Sequence, residues 1–296
     1  TTNIARGRVQ SPIISRGLKR NSGNTLFKPK KRVNRLIRVA TTGGLNKLAK
    51  ANFFSFGKAS IDTPKEKIIR LNPKRLIIYS KPKTGKTTAF SGLEDNLLMD
   101  LENGSDYVEA MKIKISSLKE LLDAGKAIKE ANSPYKYLTI DTVTALEDMV
   151  MPLAIKLYKE TSMGKNYDGD NVLSLPNGAG YLYLRQAFFQ VLDFIDTLAP
   201  HIILSGHIKD KQVDDKGEMV MAANIDLTGK IKSLICANAD AIGYMFRKGN
   251  KTILSFKTSE EVTCGARPEH LRNEEIVVSE MNDKGEIIFH WDKIYV

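Results

Sequence analysis

The stretch Arg75-Leu-Ile-Ile-Tyr-Ser-Lys-Pro-Lys-Thr-Gly-Lys-Thr-Thr88 constrains the fold more than any other part of the chain. Leu76 to Tyr79 is a short apolar run and reads as a buried strand. The next eight residues are Ser80, Lys81, Pro82, Lys83, Thr84, Gly85, Lys86 and Thr87, followed by Thr88. They depart from the phosphate-loop pattern G-x-x-x-x-G-K-[ST] only at Ser80, where the pattern has its first glycine. Strand, loop and helix in that order is the context the motif requires. The loop's backbone N–H groups would wrap a phosphate, and the helix N-terminus adds a favourable dipole. Gly85 lets the backbone come close, Lys86 would reach the β- and γ-phosphates of a nucleotide, and Thr87 would hold Mg²⁺. The bland alternative is a basic turn between a strand and a helix.

At 296 residues and 42% hydrophobic content, the chain can form one large α/β domain with appendages. Its net charge of +11 is unevenly spread. Asp62 is the first acidic residue and 14 Lys/Arg precede it, whereas the rest carries 31 basic against 34 acidic side chains. This divides the chain into a basic N-terminal arm over 1–64, with one short helix near 44–53, and a folded domain over 65–296. The arm could hold nucleic-acid phosphates through counterion release. It could equally be an Arg-rich organelle transit peptide or a solvated tail. Cys236 and Cys264 lack metal-ligand spacing and suggest a reducing compartment. No apolar run reaches transmembrane length and no signal-peptide core is visible. The expectation is a cytoplasmic protein without a membrane partner, with organelle targeting by the arm left open.

Along the folded part, a first strand is expected at 75–80, with a helix from Gly85 to near Gly92. The apolar run from Asn96 is a second strand that ends in Asp100 and Glu102. Leu118, Leu121, Leu122 and Ile128 have the spacing of an amphipathic helix within 117–132. Tyr135 to Asp141 is a third strand. A helix over 142–158 should kink or break at Pro152. Thr161 to Gly180 is polar, glycine-rich and too long for a simple connection, so it is either functional or mobile. A helix over 181–198, a strand over 201–206, a second polar segment over 208–228 and a helix over 229–238 follow. Two hairpins close the chain: Ala241–Arg247 with Thr252–Lys257, and Ile276–Met281 with Glu286–Trp291. Alternation of strands and helices from 75 to 206 predicts a mostly parallel sheet with helices on both faces. Ligands in such sheets sit at the C-terminal strand ends, so Ser80, Glu102, Asp141 and His207 should converge.

Asp141 ends an apolar strand downstream of the phosphate loop, which suits a carboxylate acting on Mg²⁺ through water. The alternative, compatible with the first, is an N-cap for the following helix. Glu102 is the candidate to orient or activate an attacking water, with Asp100 two residues earlier on the same strand face. For both, strand-end capping and turn chemistry is the structural alternative. Glu147 is expected to face away. His207 could sense the γ-phosphate and pass its presence to 208–228, or could simply be a satisfied histidine.

Taken together and in order, these residues resemble the RecA-like ATPase core, and within it the phage-type nucleotide-binding AAA family that includes RecA-like single-strand annealing proteins. Ser80–Thr87 match Walker A, Met99-Asp-Leu-Glu102 the strand with the catalytic glutamate, Leu138-Thr-Ile-Asp-Thr-Val143 Walker B, and Ile202–His207 the sensor strand, where RecA has Gln. The closing His290-Trp-Asp-Lys-Ile-Tyr295 also looks like the end of this phage family, and the match covers roughly 70–296. The resemblance implies an ATP- and Mg²⁺-dependent hydrolase that assembles as a ring or filament, with ATP between subunits. Catalytic roles then fall to Lys86, Glu102 and His207, and metal binding to Thr87 and Asp141. The segments 161–180 and 208–228 would correspond to loops that touch single-stranded DNA, offering Lys165, Tyr167, Lys209, Lys211 and Lys216. Acidic neighbours, Asp168, Asp170, Asp210, Asp214, Asp215 and Glu218, keep both segments from being strongly basic. A finger acting on the neighbouring subunit would be Arg267, Lys230 or Lys232.

The implied function is ATP hydrolysis coupled to single-stranded DNA in phage recombination, annealing or repair. Two alternatives remain open: a helicase-loader-like accessory ATPase, and a low-turnover nucleotide-binding virion or scaffold protein.

Overall fold

The computed structural model describes residues 67–209, 212–213 and 219–296. The expected basic arm over 1–64, its short helix, Asp210, Lys211 and 214–218 lie outside the described residues. In chain order the elements begin with β1 (Arg75–Ser80), α1 (Lys86–Ser91), β2 (Asn96–Asp100), β3 (Lys112–Lys114), α2 (Leu118–Glu130) and β4 (Tyr137–Asp141). Next come α3 (Val143–Met149), α4 (Met151–Lys159), α5 (Gly180–Ile195) and β5 (His201–Lys209). Short strands β6 (Gln212–Val213), β7 (Met219–Met221) and β8 (Asn224–Ile225) precede α6 (Lys230–Asn238). The chain closes with β9 (Ala241–Lys248), β10 (Lys251–Ser255), β11 (Gly265–Ala266), β12 (Glu275–Met281) and β13 (Ile287–Phe289).

The main sheet runs β13-β12-β10-β9-β1-β5-β4-β2-β3. It is parallel from β9 through β1 to β3 and antiparallel from β9 out to β13. Strand alternation sorts the apolar side chains between two layers. Ile77 and Tyr79 of β1, with Leu138 and Ile140 of β4, join the layer built with α2 to α6. Leu76 and Ile78 point the other way, into the layer of α1 and the C-terminal Trp291, Ile294 and Tyr295. Helices therefore cover both faces, unevenly. The C-terminus pins the loop helix directly: Trp291 Nε1 donates to Ala89 O at 2.7 Å, and the Trp291 ring lies 6.2 Å from that of Phe90.

Helix ends follow local chemistry. Ser117 caps α2 by accepting from Glu120 N, while the Glu120 carboxylate reaches back to Ser116 N at 2.8 Å. The helix expected over 142–158 breaks at Val150, and Pro152 falls in the first turn of α4, where its missing N–H costs nothing.

Segment 161–180 is packed against the core, and the described parts of 208–228 include short strands. Within 161–180, Val172 and Leu175 enter the core, and the Tyr167 ring meets Tyr158 edge-on at 5.3 Å. A Cβ on Gly180 would stand 1.7 Å from Val172 O, so this glycine lets the segment lie against the start of α5. After His207, the chain continues β5 to Lys209, β8 returns antiparallel beside it, and β6 pairs with β7. No helix among the described residues is long and apolar enough to cross a membrane.

Candidate active site

β1, β5, β4 and β2 lie side by side and parallel, so their C-terminal ends open on one edge. In register, Ser80 pairs with His207, Asp141 with Ser205, and Asp100 with Asp141. A cleft of about 470 Å³ lies there, lined by Pro82 to Thr88, Asp100, Glu102, Gly104, Tyr107, Val108, Asp141, His207 and Arg247. The expected convergence of Ser80, Glu102, Asp141 and His207 is thus a consequence of the parallel sheet.

At the loop, Gly85 has φ +100° and directly precedes α1. An L side chain there would be strained, and the space above its Cα is open. Ser80 is fully buried; its hydroxyl donates to Lys81 O at 2.9 Å and accepts from Lys86 Nζ at 3.0 Å. The position without a side chain in the motif thus supplies a ligand that holds Lys86. Burial pushes the Lys86 ammonium below its ordinary value, against the opposing pull of Asp141 and Glu102.

Thr87 Oγ1 donates to Asp141 Oδ2 at 2.8 Å. Burial raises the Asp141 carboxyl, an effect partly offset by its hydrogen bonds and by Lys86. A hydroxyl and a carboxylate meeting beside an anion-wrapping loop are the hard oxygen donors that Mg²⁺ takes together with phosphate and water, so the residues fit that ion. Asp141 does not cap the next helix. Thr142 does, accepting from Ala145 N at 3.2 Å, and the Asp141–Thr142 peptide is cis.

Glu102 stands across the cleft. Thr142 Oγ1 donates to its Oε1 at 2.6 Å, and His207 Nε2 lies 2.9 Å and 3.1 Å from its two oxygens. Asp100 has a different job. Its carboxylate accepts from the N–H groups of Glu102, Gly104 and Ser105, which folds the turn that presents Glu102. Burial opposes ionisation of Asp100, but the donors around it, Ser105 foremost, outweigh that and hold its carboxyl below the ordinary range. His207 also ties into the following segment: Asp226 N donates to its carbonyl at 2.9 Å.

Among the described residues, other expected site residues lie apart from the cleft. Lys165 is exposed. Tyr167 is not a free ring: its hydroxyl donates to Asn171 O at 2.7 Å and its ring packs on Tyr158. Lys209 pairs with Asp226 at 3.5 Å. Lys211 and Lys216 lie outside the described residues. Arg267 sits at the opposite end of the sheet, bound to Asp240 at 3.4 Å and to Ala237 O at 2.8 Å. Glu147, expected to face away, is buried and accepts from Thr228 N at 3.0 Å, just before α6. Lys230 stands at the first turn of that helix.

Tyr107 and Arg247 are among the lining residues that the sequence did not single out. Tyr107 is fully exposed on the cleft wall. Arg247 arrives because β9 runs parallel to β1, with Tyr79 opposite Tyr244. The hairpin containing Arg247 is legible in sequence, but its direction in the sheet is not.

The chain is similar in fold to the RadB recombinase, at 11% identity and TM-score 0.40, over 73% of this chain and 91% of that one. It is also similar to a KaiC-like protein from the hyperthermophilic archaeon Pyrococcus horikoshii OT3, at 13% identity and TM-score 0.36, over 73% and 89%. No curated protein matches the chain. The AAA domain family matches residues 72–267, which include every element of the cleft described above. The chain therefore belongs to the AAA domain family.

Proposed function

We propose that this protein is an Mg²⁺-dependent ATPase that acts on single-stranded DNA in recombination, annealing or repair, and works as a homo-oligomer. The observation that carries the reading is the pairing of Thr87 with Asp141 at 2.8 Å, with Glu102 facing them across the phosphate-loop cleft. In this reading the backbone N–H groups from Lys83 to Thr88 wrap the phosphates. Lys86 leaves Ser80 for the β- and γ-phosphate oxygens, while Thr87 and Asp141 hold the metal ion. Mg²⁺, when bound, neutralises charge that develops on the phosphate oxygens. Glu102, oriented by Thr142, positions a water and accepts its proton as that water attacks. His207, bonded to Glu102 and continuous with β5 and β8, is placed to link the state of the cleft to 208–228. The exposed Tyr107 ring offers a face for the base.

DNA binding is supported mainly by charge. The 14 Lys/Arg ahead of Asp62 are uncompensated, whereas Lys209 is paired with an acid. Self-association is supported by the exposed Ile68 and Ile69 ahead of β1 and by an apolar groove of about 370 Å³ at the β3 edge. Arg267 stays out of its own chain's cleft, as a finger for a neighbour's cleft must, and its ion pair with Asp240 would have to open.

A second reading, nucleotide binding with little turnover, is favoured by one feature: Ser80 holds Lys86, and both oxygens of Glu102 are engaged. ATP turnover by the full chain with and without single-stranded DNA separates the two. Stimulation by DNA supports the first reading; tight ATP binding with turnover indifferent to DNA supports the second.

A further inference from the structure

A recess of about 170 Å³ adjoins the phosphate-loop cleft on the side of the C-terminal hairpins. Gly85, Thr88 and Arg247 line both spaces, so they form the rim where the two meet. The rim is far from neutral. Arg247 is exposed, and no described residue makes a hydrogen bond or ion pair with its guanidinium. The acid that shares the recess, Glu280, is already engaged by Lys251 and by His290, each at 3.3 Å. Lys86, by contrast, has Asp141 and Glu102 as nearby anions.

The Arg247 backbone is held in place rather than loose. It pairs with Thr252 across the β9–β10 hairpin, and β9 in turn pairs with β1. Arg247 lies three residues beyond Tyr244, the partner of Tyr79, and so projects past the C-terminal end of β1 to the level of the loop. On the nucleotide reading of the cleft, Thr87, Asp141 and Glu102 would mark its γ-phosphate end. Gly85 and Thr88 mark the rim shared with the recess. A guanidinium stays charged at every accessible pH, and its fork of donors matches two phosphate oxygens.

On the reading of the cleft as a nucleotide site, we propose that Arg247 is a second phosphate-binding cation supplied by the same chain. It pairs with the α- and β-phosphate oxygens of a nucleoside di- or triphosphate on the loop. This differs from a finger reaching in from a neighbour, because its strand is welded to the loop strand of its own subunit.

The test is equilibrium titration of the full chain with Mg-ATP and with Mg-ADP, for wild type, Arg247→Ala and Arg247→Lys. Loss of one charge-assisted contact predicts that Arg247→Ala binds both nucleotides about tenfold more weakly. Arg247→Lys should recover part of that loss, because it keeps the charge without the fork. The unfolding temperature of Arg247→Ala should match wild type, because its guanidinium has no hydrogen-bond or ion-pair partner among the described residues. Equal ADP affinity in wild type and Arg247→Ala overturns the proposal, and so does a loss confined to ATP, which would move the contact to the γ-phosphate. If Lys86→Ala still abolishes turnover in either case, the nucleotide reading of the cleft survives without Arg247. If wild type binds neither nucleotide, both fall.

Discussion

Ser80 changes the meaning of its own departure from the motif. By sequence it adds a side chain where the pattern has none. In the fold its hydroxyl accepts from Lys86 and donates to Lys81 O, so Lys86 must give up a hydrogen bond before it reaches phosphate. Ser80→Gly removes that competitor, and a net hydrogen bond of about 1 kcal/mol translates to roughly fivefold tighter ATP binding. Titration with ATP checks this; weaker binding would show that the hydroxyl instead positions Lys86. Asp141 gives a second prediction at this scale. Burial raises its carboxyl, so the folded chain keeps the proton at a pH where the unfolded chain has released it. The stability this contributes is complete below the ordinary carboxylate range and is lost as pH rises through the raised value. Asp141→Asn should therefore flatten that slope and, without nucleotide, unfold at a higher temperature than wild type at pH 7. Calorimetry across pH decides it, and a lower unfolding temperature contradicts it. The convergence of Lys86, Thr87, Asp141 and Glu102 on one cleft was legible because each lies in the phosphate loop, at a strand end or, for Glu102, two residues past the end of β2. That Thr142 rather than Asp141 caps α3, and that Asp100 folds the turn beneath Glu102, depended on side-chain directions that strand spacing does not fix.

Among the elements, those with a strong local signature stand close to where the sequence put them. β1, α1, α2, α5 and the two C-terminal hairpins carry alternation, caps or tight turns that each act over a few residues. Elements held only by tertiary contacts were invisible: β3 and β11 are short and polar or glycine-containing, and β6 to β8 sit inside a polar stretch. Order in 161–180 likewise comes from Val172 and Leu175 finding the core. Glu147 belongs to this scale. Its buried carboxylate, raised by burial, accepts the Thr228 N–H and so fixes the corner into α6. Glu147→Ala leaves that donor unsatisfied and should destabilise the protein by about 1–3 kcal/mol. For a domain of this size each kcal/mol lowers the unfolding midpoint by about 2–4 °C. An unchanged midpoint would mean that water replaces the carboxylate there.

For the whole molecule, charge is divided between a basic N-terminal stretch and a nearly neutral remainder that holds the AAA domain. If the stretch supplies the DNA contacts, affinity for single-stranded DNA should fall steeply with salt. A chain starting near Lys65 should bind more weakly and with a shallower slope of log affinity against log salt. Equal slopes for the two chains would place the contacts in the core instead. Composition makes this division plain, whereas 161–180 and 208–228 are of mixed charge and do not by composition name a partner.

All of this depends on the cleft being where ATP is hydrolysed, and Lys86→Ala measured beside wild type tests that most directly. The substituted chain should fold, with a wild-type circular dichroism spectrum, and should lose ATP turnover, with or without single-stranded DNA. Hydrolysis at the wild-type rate in the folded Lys86→Ala protein would place the chemistry elsewhere and contradict the assignment of the cleft.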